Sequence, residues 1–353
     1  NMPRVDYLNN SNGSLILEPQ RTNLVTHSSD FSGGWALDDA TKVSNSTASP
    51  DGTVNAITLI GNTNASRHHI SKVAAGSVTA SLSVFAKAKE LRYLQIASAN
   101  TTSQYVNFDV SDGTIGTVGS SFTDAKIEDY GNGWYRCSVT STNQYNNMYI
   151  SLVSSLTSSW LESWTMSNNT DGLYLYGAQL EQGSYPTSYI PTSGSSVTRN
   201  ADVCTDGGDA SRFNDSEGGL YMEFEVIEKT STAYYVISIR SSDGSNVLGV
   251  GGRQGKAFAE MFDGTNYISN NSANLVDGSN KIILTYNSGN SAKLFLNGTK
   301  VLDFTGTIPT LSNLSELVQG DRFLGNKYYG NISEIKYENT LLTDAEAIAL
   351  TTL

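Results

Sequence analysis

The chain has 353 residues, more than a single hydrophobic core organises, so two domains are expected. Hydrophobic residues make up 38% and charged residues only 16%, with 32 glycines and 19 tyrosines, a composition that suits short strands joined by tight turns. The net charge of -12 excludes a nucleic-acid partner and speaks against an anionic membrane surface or an acidic polysaccharide held in a Lys/Arg groove.

Apolar and polar residues alternate in short runs from Val78 to Ala86, Tyr93 to Ala97, Tyr105 to Val110, Trp134 to Val139 and Met148 to Val153. Each run predicts a strand with one buried face, because successive side chains on a strand point to opposite sides. Asp51-Gly52, Ser111-Asp112-Gly113 and Gly131-Asn132-Gly133 mark turns between them. A polar break at Ser193-Gly194-Ser195-Ser196, running on to Asp206-Gly207-Gly208, sets a domain boundary, giving domains over 1–200 and 201–353. Beyond it the alternation restarts at Gly219–Val226. It continues through Tyr234–Ile239, Val247–Val250, Lys256–Met261, Lys281–Tyr286, Ala292–Leu296, Lys300–Phe304 and Gly330–Tyr337. Asn297-Gly298 predicts a two-residue type I′ hairpin turn, in which both residues need positive φ. One helix is expected at the end. Thr343 is its N-cap, Glu346 closes a capping box, and Ala345, Ile348 and Ala349 form its apolar stripe. The fold class is therefore all-β: two tandem β-sandwiches and one short C-terminal helix.

No apolar run approaches the ~20 residues of a membrane span, so no membrane insertion is expected. The opening residues Asn1 to Tyr7 lack the apolar stretch of a signal peptide. Two cysteines, Cys137 and Cys204, form no disulfide framework; they are open to one bridge between domains or to acting as small hydrophobes.

Sugar binding needs flat aromatic faces for C–H stacking and planar amides or carboxylates for hydroxyls. Trp160 and Trp164, with Glu162 between them, lie in a polar stretch between strands and make the best candidate platform; capping the end of the core is the alternative. Trp35 and Trp134 each follow a glycine-rich turn and read chiefly as core residues, with Trp35 kept as a candidate glycan contact. His68 and His69 are adjacent, so on a strand they face opposite ways and cannot share a metal. The catalytic site is expected to be empty of candidates: Glu223 and Glu225 give only an i, i+2 pair without the third carboxylate of a glycosidase strand motif, and Glu334 reads as a surface residue. No cofactor is required. Structural calcium is weakly coded by the oxygen ligands of Asp38-Asp39, Asp171-Gly172, Asp206-Gly207-Gly208-Asp209 and Asp243-Gly244, most of which read as turns.

The second domain resembles the laminin-G/concanavalin-A-like lectin superfamily, on Gly219-Leu220-Tyr221-Met222-Glu223-Phe224, Lys293 to Gly298, Gly330 to Ile335 and Leu341 to Glu346. The first resembles the carbohydrate-binding-module-like jelly roll of bacteriophage structural proteins. The carrying motifs are Leu15 to Leu24, Asp30-Phe31-Ser32 with Trp35, Gly131 to Arg136, Tyr176 to Gly183, Thr187 to Thr192 and Thr198 to Asp202. These resemblances imply a jelly roll followed by a concanavalin-A-like sandwich. They imply a non-catalytic subunit of a tail fibre, capsid fibre or capsid decoration, located in the virion. Its expected partners are glycan and other virion subunits, in a homo-oligomer. A purely structural virion subunit and a secreted bacterial glycan-binding or glycan-cleaving protein are the alternatives.

Overall fold

The computed structural model describes residues 4–8, 11–76, 78–98, 101–142, 145–205, 207–227, 234–321 and 328–353. Among them, every regular element is a strand except the helix Asp344–Thr351. The strands fall into two compact units, one of Gln20–Asn200 and one of Asn1–Pro19 with Ala201–Leu353.

Gln20–Asn200 is a jelly roll of two six-stranded antiparallel sheets. One orders Thr114–Val118, Tyr105–Asp109, Tyr93–Ser98, Tyr145–Leu152, His68–Gly76 and Trp35–Asp38. The other orders Phe122–Asp129, Trp134–Ser141, Ala80–Ala88, Gly172–Gln182, Val54–Gly61 and Ala40–Ala48. The alternation read from the sequence explains the core. Leu94, Ile96, Val106, Phe108 and Ile150 point inward from the first sheet and meet Ile57, Leu59, Leu82, Val84, Leu173 and Leu175 of the second. Each such buried side chain stabilises the sandwich by about 1.5–3 kcal/mol. Cys137 is one of them: a free thiol, fully buried, and pushed above its usual pKa by that burial.

The outer face of the second sheet is closed by the segment 184–192. Glu181, fully buried, accepts from the Thr187 amide at 2.7 Å, the Thr187 hydroxyl at 2.6 Å and the Gln179 amide at 2.7 Å. Gln179 in turn accepts from the Ile190 amide at 2.7 Å, and Asn23 donates to the Ile190 carbonyl at 2.8 Å. Arg136 reaches the Thr187 carbonyl at 2.7 Å. The long motif from Tyr176 to Thr192 is thus a polar clasp with every partner inside the unit.

The second unit packs a seven-stranded sheet against a five-stranded one. The larger orders Val5–Asp6, Ser14–Leu17, Gly330–Glu338, Glu217–Val226, Gly278–Asn287, Ser291–Leu296 and Thr299–Asp303. The smaller orders Tyr267–Asn274, Lys256–Phe262, Val247–Arg253, Tyr234–Arg240 and Glu316–Gln319. Leu220, Met222 and Phe224 point into the core between them, so Tyr221, Glu223 and Glu225 take the outer face. The hairpin turn has φ of 47° at Asn297 and 76° at Gly298, as a type I′ turn requires. The capping box of Thr343 and Glu346 is present. The apolar stripe of the helix differs from expectation: Ala347 and Thr351 are buried, whereas Ala345, Ile348 and Ala349 are exposed. The helix lies on the outer face of the larger sheet, where Ala347 meets Tyr221, Ile283 and Phe295, and this contact decides which stripe is covered.

The sequence places residues 1–19 with the first domain. In the structure they pair with the last strand of the chain, Leu15 opposite Ile332 and Leu17 opposite Gly330. Their backbone groups complete the sheet edge that Gly330–Glu338 leaves open, and Leu17 enters the second unit's core. The jelly roll is therefore inserted in the chain between the strands Ser14–Leu17 and Glu217–Val226 of the larger sheet. Its ends are drawn together by pairing of Arg21–Asn23 with Val197–Arg199.

Candidate functional site

The outer face of the seven-stranded sheet carries a pocket of about 680 Å³. It is lined by Asp6, Asn12, Ser14, Glu223, Glu225, Ser279, Asn331, Ser333 and Glu334. Strand register explains the assembly. Asp6 stands opposite Ser14, Ile16 opposite Asn331, Glu223 opposite Glu334, and Glu225 opposite Ser279. A bulge between Glu223 and Phe224 shifts the register of the last strand by one residue, which lets both Ser333 and Glu334 face the pocket.

Several of the hydrogen bonds between its lining residues are long, although the Leu8 amide donates to Asp6 at 2.9 Å. Asn331 donates to Asp6 at 3.4 Å and to Glu225 at 3.3 Å, and Ser279 donates to Glu223 at 3.3 Å. Tyr221 reaches Glu223 at 3.5 Å. These lie at the weak end of the hydrogen-bond range, so the carboxylates keep acceptor capacity for a ligand. Among the described residues, Glu334 is the lining carboxylate that is ion-paired, with Lys336 at 2.9 Å.

On the jelly roll, the sequence-picked residues separate into two kinds. The loop after Tyr145–Leu152 lies across the outer face of the first sheet. Gln95 fixes it by accepting from the Leu161 amide at 2.7 Å and donating to the Ser159 carbonyl at 3.0 Å. Asn107 donates to the Ser158 carbonyl at 2.7 Å. Trp160 is half-buried on this loop, its indole N–H donating to the Ser98 carbonyl at 2.9 Å, with the Arg67 guanidinium 5.1 Å from its ring centroid. Trp164 does not share that position. Its N–H donates to the Leu152 carbonyl at 3.2 Å, and its ring packs on the core and edge-on to His68. Ser98 and Leu152 are separated by four register positions, roughly 13 Å along the strands, so the two indoles are pinned apart.

Glu162 is committed to its own loop, accepting from the Ser154 amide at 2.9 Å and the Ser158 hydroxyl at 2.7 Å. Burial acts to raise its carboxyl, but these bonds outweigh it and hold the group below its usual value. Trp35 donates to the His27 carbonyl at 3.1 Å and packs against Phe31 with centroids 4.9 Å apart. It belongs to the rim of the core.

His68 and His69 do face opposite ways. His68 lies between the Asp39 and Trp164 carbonyls, and His69 lies against Tyr149 on the outer face. Among the described residues, no group of three or more His, Cys, Asp or Glu is placed to hold a metal. The carboxylates of Asp39, Asp209 and Asp243 are instead taken up by amide and hydroxyl donors. Asp39 takes bonds from Ser66, Asn62 and Asn64, which lower it to about 2; Asp243 takes them from Ser241 and Ser245, also reaching about 2. Asp209 accepts from Ser211. Asp206 lies outside the described residues. These donor sets do not fit a calcium ion.

The pocket escaped sequence reasoning because its walls come from strands far apart in the chain. Ser14 and Ser333, 319 positions apart, stand with their hydroxyls 3.5 Å from one another. The usable signal was the outward phase of Glu223 and Glu225, which the alternation did supply.

No protein-family model matches the chain, and no curated protein matches it. Among solved structures it is similar to the CBM40 module of the Ruminococcus gnavus IT-sialidase, also solved with sialyllactose bound. The identity is 17% and the TM-score 0.34, over 41% of this chain and 91% of that one. It is also similar to the LG1-3 region of the laminin alpha2 chain, at 11% identity and a TM-score of 0.29, over 78% of this chain and 66% of that one. Domains LG4-5 of the mouse laminin alpha1 chain give 10% identity and a TM-score of 0.29, over 96% of this chain and 92% of that one. Likeness at these scores decides nothing about function.

Proposed function

We propose that this chain is a non-catalytic glycan-binding protein, and that it serves as a fibre or decoration subunit of a phage virion. The observation that carries the glycan reading is the pocket beside Glu223. Its lining is made of carboxylates, amides and hydroxyls alone, which are the partners sugar hydroxyls use, and all but Asn12, in the turn before Ser14–Leu17, are held on strands. It offers no apolar anchor of the kind peptides and lipids need.

Trp160 supports a second glycan contact. It is a half-exposed indole whose ring is held by its N–H bond and by a loop latched to the sheet. Trp164, Glu162 and Trp35 support it by holding that loop and the core rim in place. The virion assignment rests on the motifs of the jelly roll. Copies assembled on a virion would turn weak single-site binding into firm attachment.

A glycan array tests this reading with three proteins: the parent chain, Glu223→Gln/Glu225→Gln, and Trp160→Ala. Binding to neutral glycans that is lost in the glutamine variant is the expected result. A folded chain that binds no glycan leaves the purely structural subunit as the reading.

A further inference from the structure

We propose that the outer face of the jelly roll around Trp160 binds a sugar bearing a carboxylate, with Arg67 as the contact for that carboxylate. The proposal rests on the glycan reading of Trp160 and adds the ligand's charge.

Arg67 is exposed in a chain that carries a net charge of -12, where carboxylates outnumber cations. Among the described residues none of those carboxylates pairs with it; its one neighbour of note is the Trp160 ring. A guanidinium beside an indole face is held by the cation–π attraction, and its planar fork stays free to take a carboxylate through two parallel hydrogen bonds.

The surroundings fit a sugar acid. Arg67 immediately precedes the strand His68–Gly76, while Trp160 is fixed to Ser98 two strands away in the sheet. The arginine therefore reaches across the strand Tyr145–Leu152 to the Trp160 ring, an aromatic face able to meet the C–H face of a pyranose, while Tyr149 on that strand packs against His69. His69, two residues along from Arg67, is only 5% exposed, and its Nδ1 has no hydrogen-bond partner. Its Nε2 is 3.9 Å from Asp38. Burial lowers the His69 pKa, so near neutral pH it adds no charge and serves as an unpaired polar group beside the arginine. Glu162, two residues from Trp160, is taken up by the Ser154 amide and the Ser158 hydroxyl; Asp38, 3.9 Å from His69 Nε2, lies on Trp35–Asp38, on the far side of His68–Gly76 from Trp160. It does not stand between Arg67 and the ligand.

A single arginine on an aromatic ring selects one carboxylate on one sugar residue, which differs from a basic groove for a polyanion. It also differs from the pocket on the other unit, where Asp6, Glu223, Glu225 and Glu334 repel the same group. The two units thus divide acidic and neutral sugars between them.

Isothermal titration of the whole chain with methyl glucuronide and with the methyl glycoside of N-acetylneuraminic acid tests the proposal. Each acid is compared with its uncharged methyl ester. At least one acid is expected to bind at least tenfold more tightly than its ester. Arg67→Gln should erase that preference, Arg67→Lys should restore part of it, and Trp160→Ala should weaken acid and ester alike. Equal binding of both acids and their esters, or a preference unchanged in Arg67→Gln, overturns the proposal and leaves the glycan reading standing. If none of these sugars binds, the proposal falls; the glycan reading is then judged separately by neutral-glycan binding that depends on Glu223 and Glu225.

Discussion

Glu181 and Glu223 both stand on the outer face of a sandwich sheet, yet their surroundings differ in kind. Glu181 is sealed by the segment 184–192, with short hydrogen bonds to Thr187 and Gln179 and no exposure. Glu223 opens to a pocket and has bonds of 3.3 and 3.5 Å only. The bonds to the Glu181 carboxylate itself come from neighbours within a few residues, so the chain supplies that acceptor and its donors together. The pocket around Glu223 comes from strands that meet only when the whole unit is assembled. The first arrangement spends its polar groups on the fold, and the second leaves them for something else.

Removing residues 4–19 should have the largest effect. It takes Leu15 and Leu17 from the second unit and should destabilise that unit by about 4 kcal/mol, from two partly or fully buried leucines. It also strips Asp6, Asn12 and Ser14 from the pocket. The jelly roll should unfold as before in urea monitored by circular dichroism. A jelly roll weakened by this deletion would contradict the assignment of these residues to the second unit.

Glu181→Ala comes next. It leaves the Thr187 amide and hydroxyl buried without their acceptor, while the Gln179 amide keeps the Thr187 carbonyl at 3.2 Å, at a cost of about 3 kcal/mol to the jelly roll. Urea unfolding of that unit reads the loss, and binding at the pocket should be unchanged. Glu223→Gln/Glu225→Gln reverses the pattern. Stability should stay within ~0.5 kcal/mol, as for surface substitutions, while neutral-glycan affinity falls at least tenfold, or about 1.4 kcal/mol. A variant that unfolds readily would make these glutamates structural after all.

The smallest effect concerns acid. Burial acts to raise Asp263, but hydrogen bonds from Asn266, Thr310 and Thr265 outweigh it and lower the carboxyl to about 2, from 3.8. A folded pKa below the unfolded one means that its stabilisation is present above about pH 4 and is lost as the pH falls towards 2. Asp263→Asn should flatten the acid dependence of the second unit over that window and leave the jelly roll's dependence as it was. Thermal unfolding at a series of pH values checks this.

The sequence showed most of what depends on local pattern. The strands from Tyr93 to Ser98 and from Glu217 to Val226, the Asn297-Gly298 turn and the Thr343 cap all follow from alternation, backbone preference or capping chemistry. It failed where a partner is remote. Ser14–Leu17 reads as part of the nearest domain, because nothing in four residues announces pairing with Gly330–Glu338. The helix stripe was misjudged because Tyr221 and Phe295, which lie elsewhere in the chain, decide what it covers. Trp160 and Trp164 look like a pair at a spacing of four, but their separate backbone anchors at Ser98 and Leu152 come from sheet register, which spacing does not reveal.

The inserted jelly roll also bears on how the chain reaches its final state. The strand Ser14–Leu17 is made before its partner Gly330–Glu338, with the whole jelly roll between them in the chain. Closing so long a flexible loop carries an entropy cost that grows with its length. Once Gln20–Asn200 has folded, pairing of Arg21–Asn23 with Val197–Arg199 holds the two exits side by side, and the span left to close is short. The Glu18 amide then donates to Asp202 at 2.8 Å, and the Asp202 amide to the Glu18 carbonyl at 2.9 Å. The early domain thereby acts as a folding template for the late one, holding an unpaired β-edge ready until synthesis delivers its match.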